Sequence, residues 1–428
     1  MLRLKSAAVL IIFFLLNSCS NHHEKNNQLL FWCSNNTGEI NFATHFTNEW
    51  NKAHADKIHM QPVPEGQSSE EVILAAVVGK TTPDIYANMW QGNVEMYARA
   101  GSLIALDTLK GFLDFIKQRC DSSVIKEITS VDGHIYQVPW KVNPFMTIYN
   151  KNLFQENGIH QLPITYSDYL NDAKKFKEST SKKGITKWFG YTSVREIWYE
   201  RLFNFYMLYL AASNGAPLIK DNRAAFNNKY AVDVFRFMQT LYNNGYFTRE
   251  NLAGSNDPFV TQQIATEFTG PWQTDFLLSI PGRTFQFDYL QPPIPDDHVG
   301  PVYTYADPKN IVVFSTCKHP QQAWDFIKTM IDKEGDLQLL QLTGQMPQRK
   351  NLDTDNFYSN FFNEHPMTKI FARQVKYVKG IDNCDVIVEV LDIISQEYAA
   401  CVIYGKKTPE NAVRDAANAV NVLLANNK

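Results

Sequence analysis

The residues best placed to do chemistry in this chain are aromatic rings and polar side chains at strand ends, and the chemistry they suit is recognition. Catalytic motifs are wanting. Gly79-Lys80-Thr81 echoes the end of a phosphate-binding loop, but Leu74 stands where that loop needs a glycine. Neither Gly-x-Ser-x-Gly nor His-Glu-x-x-His occurs, and His54 and His59 have the wrong spacing for two metal ligands on one helical face. The 44 acidic residues include carboxylates enough for a glycosidase, yet no spacing singles out a pair. The eight tryptophans are more informative. Trp50 and Trp324 lie on helical apolar stripes and read as core. Trp90, Trp140 and Trp272 stand at strand ends or crossings, Trp198 opens a long aromatic helix, and Trp32 is near the end of the first strand. Exposed rings of this kind cover a flat apolar surface, and amides or carboxylates beside them hold polar groups at its rim. Asn35, Glu65, Asn88, Gln91, Asn143 and Arg349 are the polar candidates, each weighed against an ordinary loop residue bonding its own turn.

The elements that must position these residues are visible in the hydrophobic pattern. Leu29 to Cys33 is a strand, a helix from Ile40 to His54 puts Phe42, Phe46 and Trp50 on one face, and Lys57 to Val63 alternates as a second strand. Ser69 caps a helix that Gly79 stops, and Asp84 to Ala87 is the next strand. This alternation argues a parallel sheet with covering helices, with ligands beyond the carboxyl ends of its strands. From Asp132 to Asn152, two β-rich runs flank Trp140-Lys141-Val142-Asn143, which Pro139 and Pro144 bracket. The pattern predicts a crossing between two lobes, with Trp140 in the gap. Gln291-Pro292-Pro293-Ile294-Pro295 predicts a second crossing. Further helices are expected over Arg195 to Ala212, over Ala231 to Asn243, after His319-Pro320, and after the cap Thr408 with Pro409 at the first helical position.

A chain of 428 residues exceeds one hydrophobic core and suits two lobes. With 41 basic and 44 acidic residues it offers no electrostatic footprint for nucleic acid. Arg3 and Lys5 precede the apolar run Ala7 to Leu16, about half of what spans a bilayer, which reads as a secretory signal. Leu16-Asn17-Ser18-Cys19 after it resembles the bacterial lipoprotein cleavage box. Residues 1–18 are thus expected to be a signal peptide, Cys19 the lipidated terminus and residues 19–27 a tether. The expected location is extracytoplasmic, lipid-anchored to a bacterial membrane, on its periplasmic or outer face. Of the other cysteines, Cys33, Cys120, Cys317, Cys384 and Cys401 are odd in number and lack Cys-x-x-Cys spacing; a bridge from Cys384 to Cys401 stays open.

Several local patterns, in order, resemble the extracellular solute-binding protein family 1, the maltose-binding-protein-like receptors of ABC sugar importers. They are Thr82-Pro83-Asp84-Ile85 with Ala100-Gly101-Ser102-Leu103, Tyr136 to Trp140 with Ile148 to Phe154, Gly270-Pro271-Trp272, and Gly344-Gln345-Met346-Pro347-Gln348-Arg349. The resemblance spans nearly the whole mature chain. It departs at Thr82, where the family has a small residue, and at Asp296 to Tyr305, which lacks a Gly-Gly. It implies an α/β, two-lobed periplasmic-binding-protein-like fold of class II type: each lobe a mainly parallel sheet covered by helices, joined by crossover hinge strands. The expected lobes are 28–139 plus 296–345 and 140–295 plus 346–428. Trp272 matches the family position that stacks on sugar. The implied function is capture of a carbohydrate, an oligosaccharide by preference, by hinge closure in the interlobe cleft. Delivery to permease subunits follows, by a monomer with no cofactor, no metal and no catalysis. Two other functions suit the same features: a lipid-anchored glycan-degrading enzyme, and a glycan-binding surface protein without transport.

Overall fold

The computed structural model describes residues 28–63, 69–252 and 257–427. Cys19, the expected signal and tether, and Glu65 lie outside the described residues. The strands are Leu29–Cys33 (β1), Ile58–Pro62 (β2), Ile85–Trp90 (β3), Val138–Val142 (β4), Met146–Asn150 (β5), Trp188–Tyr191 (β6) and Ile219–Lys220 (β7). Arg223–Ala224 (β8), Ile264–Thr269 (β9), Phe287–Leu290 (β10), Thr304–Tyr305 (β11), Lys309–Val313 (β12), Met346–Pro347 (β13) and Val378–Lys379 (β14) follow. They build two main sheets, one for each lobe. The first has the order β13-β4-β12-β3-β1-β2, the second β10-β5-β9-β6.

In the first sheet β1 runs parallel to β2 and β3, as the alternation of strand and helix requires. The helix Thr37–Ala53 starts where Asn36 Oδ1 accepts from the Gly38 and Glu39 amides at 2.9 and 3.3 Å. This cap satisfies amides that the helix itself leaves unpaired. Its buried face carries Phe42, Phe46 and Trp50 into a core with Phe31, Trp140, Phe326 and Ile327. The second sheet has apolar clusters on either side. One gathers Phe205, Phe235, Tyr398 and Val420 from long helices that include Lys229–Asn243 and Pro409–Asn426. The other gathers Ile148, Phe287, Tyr358 and Phe371. The five cysteines of the described residues are free and buried, so no disulfide joins Cys384 to Cys401. No helix among the described residues is long and apolar enough to cross a membrane.

The crossings differ from the expected positions. Pro139 and Trp140 lie inside β4, so the chain leaves the first sheet after Val142 and crosses at Asn143–Phe145. Pro139 is tolerated because the pairing of β4 with β12 shifts register between Lys309 and Ile311, where a missing amide breaks no regular ladder. The second crossing lies after β11, not at the proline cluster: the Asn143 amide donates to the Ala306 carbonyl at 2.7 Å and the Phe145 amide to the Tyr305 carbonyl at 2.9 Å. Ala306 in turn donates to Lys379 at 3.1 Å, so β14 belongs to the same bundle of hinge segments. The third departure follows β13, which is still paired with β4. The expected helix over Arg195 to Ala212 is also interrupted. A π-helical turn at Leu202–Tyr206 precedes the regular helix Met207–Ala212.

Arg349, the expected cleft residue, instead completes a buried ion triad in the first lobe. Asp336 accepts from both Arg119 Nη1, at 2.5 Å, and Arg119 Nη2, at 2.8 Å, while Arg349 Nε bonds the same carboxylate. Removing one member leaves uncompensated charge in the core. Asp336→Ala is therefore expected to lower the unfolding free energy by about 3–5 kcal/mol in guanidinium denaturation. A loss no larger than an exposed ion pair gives, under about 1 kcal/mol, contradicts this.

Candidate ligand site in the cleft

Met146 and the crossing before it bring Phe145 to the edge of the second sheet, next to the end of β9. There the chain turns through Gly270 and Pro271 into the helix Trp272–Leu278. The Trp272 ring folds back over Gly270; a Cβ at that glycine would lie 2.1 Å from a ring carbon. Glycine is required at this position because only its bare backbone lets the ring approach. Trp272 stays 41% exposed, unlike most large aromatics of this chain. Phe145 supports it edge-on at 5.2 Å between ring centroids, and Phe203 stacks on Phe145 at 4.7 Å.

These rings line a pocket of about 260 Å³ with Tyr191, Thr192, Ser193, Glu200, Asn204, Glu267, Phe268, Thr269 and Gln273. The π-helical turn brings Phe203 and Asn204 to its wall, a use of such turns that recurs at functional sites. Two carboxyl groups face it and differ in their surroundings. Glu200 has Arg195 Nε at 3.7 Å. Glu267 sits in the middle of β9, with Oε2 enclosed and without a hydrogen-bond partner among the described residues. Burial first, and the nearby Asp257 second, push its carboxyl up to about 8.

On the first lobe's side, near the crossing, Glu39 is paired with the buried Lys141, and Glu39 Oε1 also accepts from Gln345 Nε2 at 2.7 Å. Gln345 Oε1 accepts from Asn143 Nδ2 at 3.0 Å. Desolvation pushes the Lys141 ammonium down, with Glu39 opposing. Asn143 is thus a floor residue of the crossing, and its Oδ1 is enclosed without a partner among the described residues.

The other expected site residues are scattered. Trp140 is 1% exposed and packs on Phe42 in the first lobe's core, because β4 extends past it. Trp90 ends β3 buried, donating from Nε1 to the Tyr305 hydroxyl at 3.0 Å and packing on Trp198 at 4.9 Å, a contact between the lobes outside the pocket. Gln91 is buried and donates to the Ile381 carbonyl at 3.2 Å. Trp32 packs partly buried beside Tyr86 and Val94. Asn35 is exposed just before the first helix. Asn88 is half-buried with φ 146, at the residue where β3 and β12 shift register. That is a strained backbone of the kind bulges place near functional sites. Of the expected residues that are described, Trp272 alone lines the pocket. Phe145, Phe203, Glu200 and Glu267 were missed, although a lone acid in the strand Ile264–Thr269 was a readable signal.

A helix-covered two-lobed α/β chain with a pocket beside its crossings defines a class of binding proteins, and comparison with known proteins agrees. The family described as bacterial extracellular solute-binding protein matches residues 46–366, and the chain belongs to that family. A binding protein of Brucella abortus (strain 2308) is 22% identical over 304 residues, 69% of each chain. The diacetylchitobiose binding protein DasA of Streptomyces coelicolor is 29% identical over 118 residues, 27% of this chain and 26% of that one. The crystal structure of a cyclic alpha-maltosyl-1,6-maltose binding protein from Arthrobacter globiformis has TM-score 0.81 at 20% identity, covering 93% of this chain and 99% of that one. This likeness establishes the fold.

An acid whose pKa rises on folding loses stability as pH climbs from its unfolded value towards its folded one. Glu267 goes from an ordinary 4.5 to about 8. The stability advantage of Glu267→Gln over the parent should therefore be smallest below pH 4.5, grow through this window and level off above pH 8. Thermal melts of both proteins across that range check it; a constant difference contradicts it.

Proposed function

We propose that this protein captures a carbohydrate, an oligosaccharide by preference, in the pocket beside Trp272 and delivers it to the permease of an ABC importer when its lobes close. The observation that carries this reading is the exposed Trp272 ring, backed by Phe145 and bordered by Glu267, Glu200, Asn204 and Gln273. A sugar presents a flat C–H face rimmed by hydroxyls, which such a ring and such polar groups complement. The names of DasA and of the Arthrobacter protein, both binders of sugars, support the ligand class. Closure is the switching mode this architecture permits, with the hinge segments bending and the lobes moving as bodies. In this reading Cys19 carries the lipid that holds a monomer at the periplasmic or outer face of a bacterial membrane, and Asn35 and Asn88 belong to the facing wall.

Glu200 and Glu267 in one pocket also favour a second reading, a glycan-degrading enzyme, since a carboxyl pair is what glycoside hydrolysis requires. One screen separates the two. The full chain in mild detergent is titrated with a panel including maltotetraose and diacetylchitobiose, while tryptophan fluorescence and products are followed together. Saturable binding without turnover is expected; released shorter sugars identify the enzyme. With the sugar that binds, Trp272→Ala should weaken affinity by roughly 1–3 kcal/mol in calorimetry, the usual loss for a buried aromatic anchor. Unchanged affinity removes Trp272 from the site.

A further inference from the structure

The geometry points to Glu267 as the residue that selects the ligand: its carboxylic acid donates a hydrogen bond to an oxygen of the sugar ring stacked on Trp272, and capture therefore depends on pH. The inference rests on the carbohydrate reading and adds the polar contact that gives it selectivity. Glu267 occupies the centre of a sheet, opposite Ile148 of β5 on one side and Tyr191 of β6 on the other. Glu267 itself is half-buried, between the buried Thr266 and Phe268. A carboxylate is costly in such a place unless a cation or several donors meet it. Neither is present: Oε2 has no partner, and no lysine or arginine lines the pocket among the described residues.

The charged and titratable groups around Glu267 are nearly all acidic or neutral. Asp257 lies before β9, where its Oδ2 accepts from Gln273 Nε2 at 3.0 Å. Burial first, with Glu267 as a lesser contributor, raises the phenols of Tyr191 and Tyr289. Glu200 stands beyond Tyr191 and Asp275 near Tyr289. Among the described residues Arg195 is the cation on that side, and it pairs with Glu200. Glu267 accordingly keeps its proton up to about 8 and can donate at neutral pH. The two pocket acids divide the work. Glu200, paired with a guanidinium, accepts from hydroxyls; Glu267 donates to an acceptor oxygen. An unpartnered polar atom costs stability that a well-packed apolar or amide side chain would not. A ligand oxygen that meets the acid where Glu267 opens to the pocket recovers part of that cost.

The test uses the full chain in detergent with maltotetraose and diacetylchitobiose as probes. Affinity of the parent should hold from pH 5 to 7 and fall up to about tenfold per pH unit above pH 8. Glu267→Gln, which donates without titrating, should show no such fall, and Glu267→Ala should bind at least about tenfold more weakly at pH 6, the loss of one buried hydrogen bond. Infrared difference spectra between the parent and Glu267→Gln, without sugar, should show a protonated carboxyl band at pH 7 that disappears above pH 8. A parent profile flat to pH 9, an Ala variant that binds as the parent does, or no acid band at pH 7 each overturns the inference while leaving sugar capture intact. Failure of every sugar overturns the carbohydrate reading, and this inference with it.

Discussion

Phe145 is the contact on which the rest of the site depends. It is the last residue of the first crossing, and three rings meet on it: Trp272 edge-on, Phe203 stacked, and Tyr305 at 5.9 Å. Its backbone is clasped as well, since its amide donates to the Tyr305 carbonyl and its carbonyl accepts from Thr304 Oγ1 at 2.8 Å. Tyr305 then bonds Trp90 of the first lobe through its hydroxyl. The support of the ligand platform and the hinge are therefore one packed aromatic cluster. A shift of one ring has to be felt by the others, because close-packed interiors transmit displacement instead of absorbing it.

The polar groups near this cluster are left partly unsatisfied. Asn143 Oδ1 and Glu267 Oε2 are enclosed without partners, and Lys141 is desolvated with Glu39 as its carboxylate partner. Asp336, by contrast, is met by two arginines. Other enclosed polar atoms without partners lie deep in both lobes, among them Trp324 Nε1 and Arg201 Nη1, so an unmet group marks a ligand contact only where it also lines the pocket, as Glu267 does.

What could be read from the sequence follows the range of the interactions involved. The alternation in Leu29–Cys33, the apolar stripe of Phe42, Phe46 and Trp50, and the Gly270-Pro271-Trp272 turn are local patterns, and each lies in the expected element. Trp140 was misplaced because prolines on both sides imitate a break, whereas an irregular register with β12 lets the strand pass through Pro139. Arg349 and Gln91 were misplaced for a different reason: Asp336 lies 13 residues from Arg349, and the Ile381 carbonyl 290 residues from Gln91. Partners at such separations leave no periodic trace. The position of the second crossing was also hidden, since the backbone bonds of Ala306 and Tyr305, not proline content, decide where the chain passes.

The central claim is that sugar seated on the Trp272 platform draws the two lobes together through the Phe145 crossing. The distance between spin labels on cysteines introduced at exposed Leu74 of the first lobe and exposed Leu278 of the second tests it most directly, because the five described native cysteines are buried. Saturation with a sugar that binds should shift the distance distribution to a shorter, narrower population, and should not do so in Trp272→Ala at the same sugar concentration. A distribution unchanged by bound sugar would contradict the account.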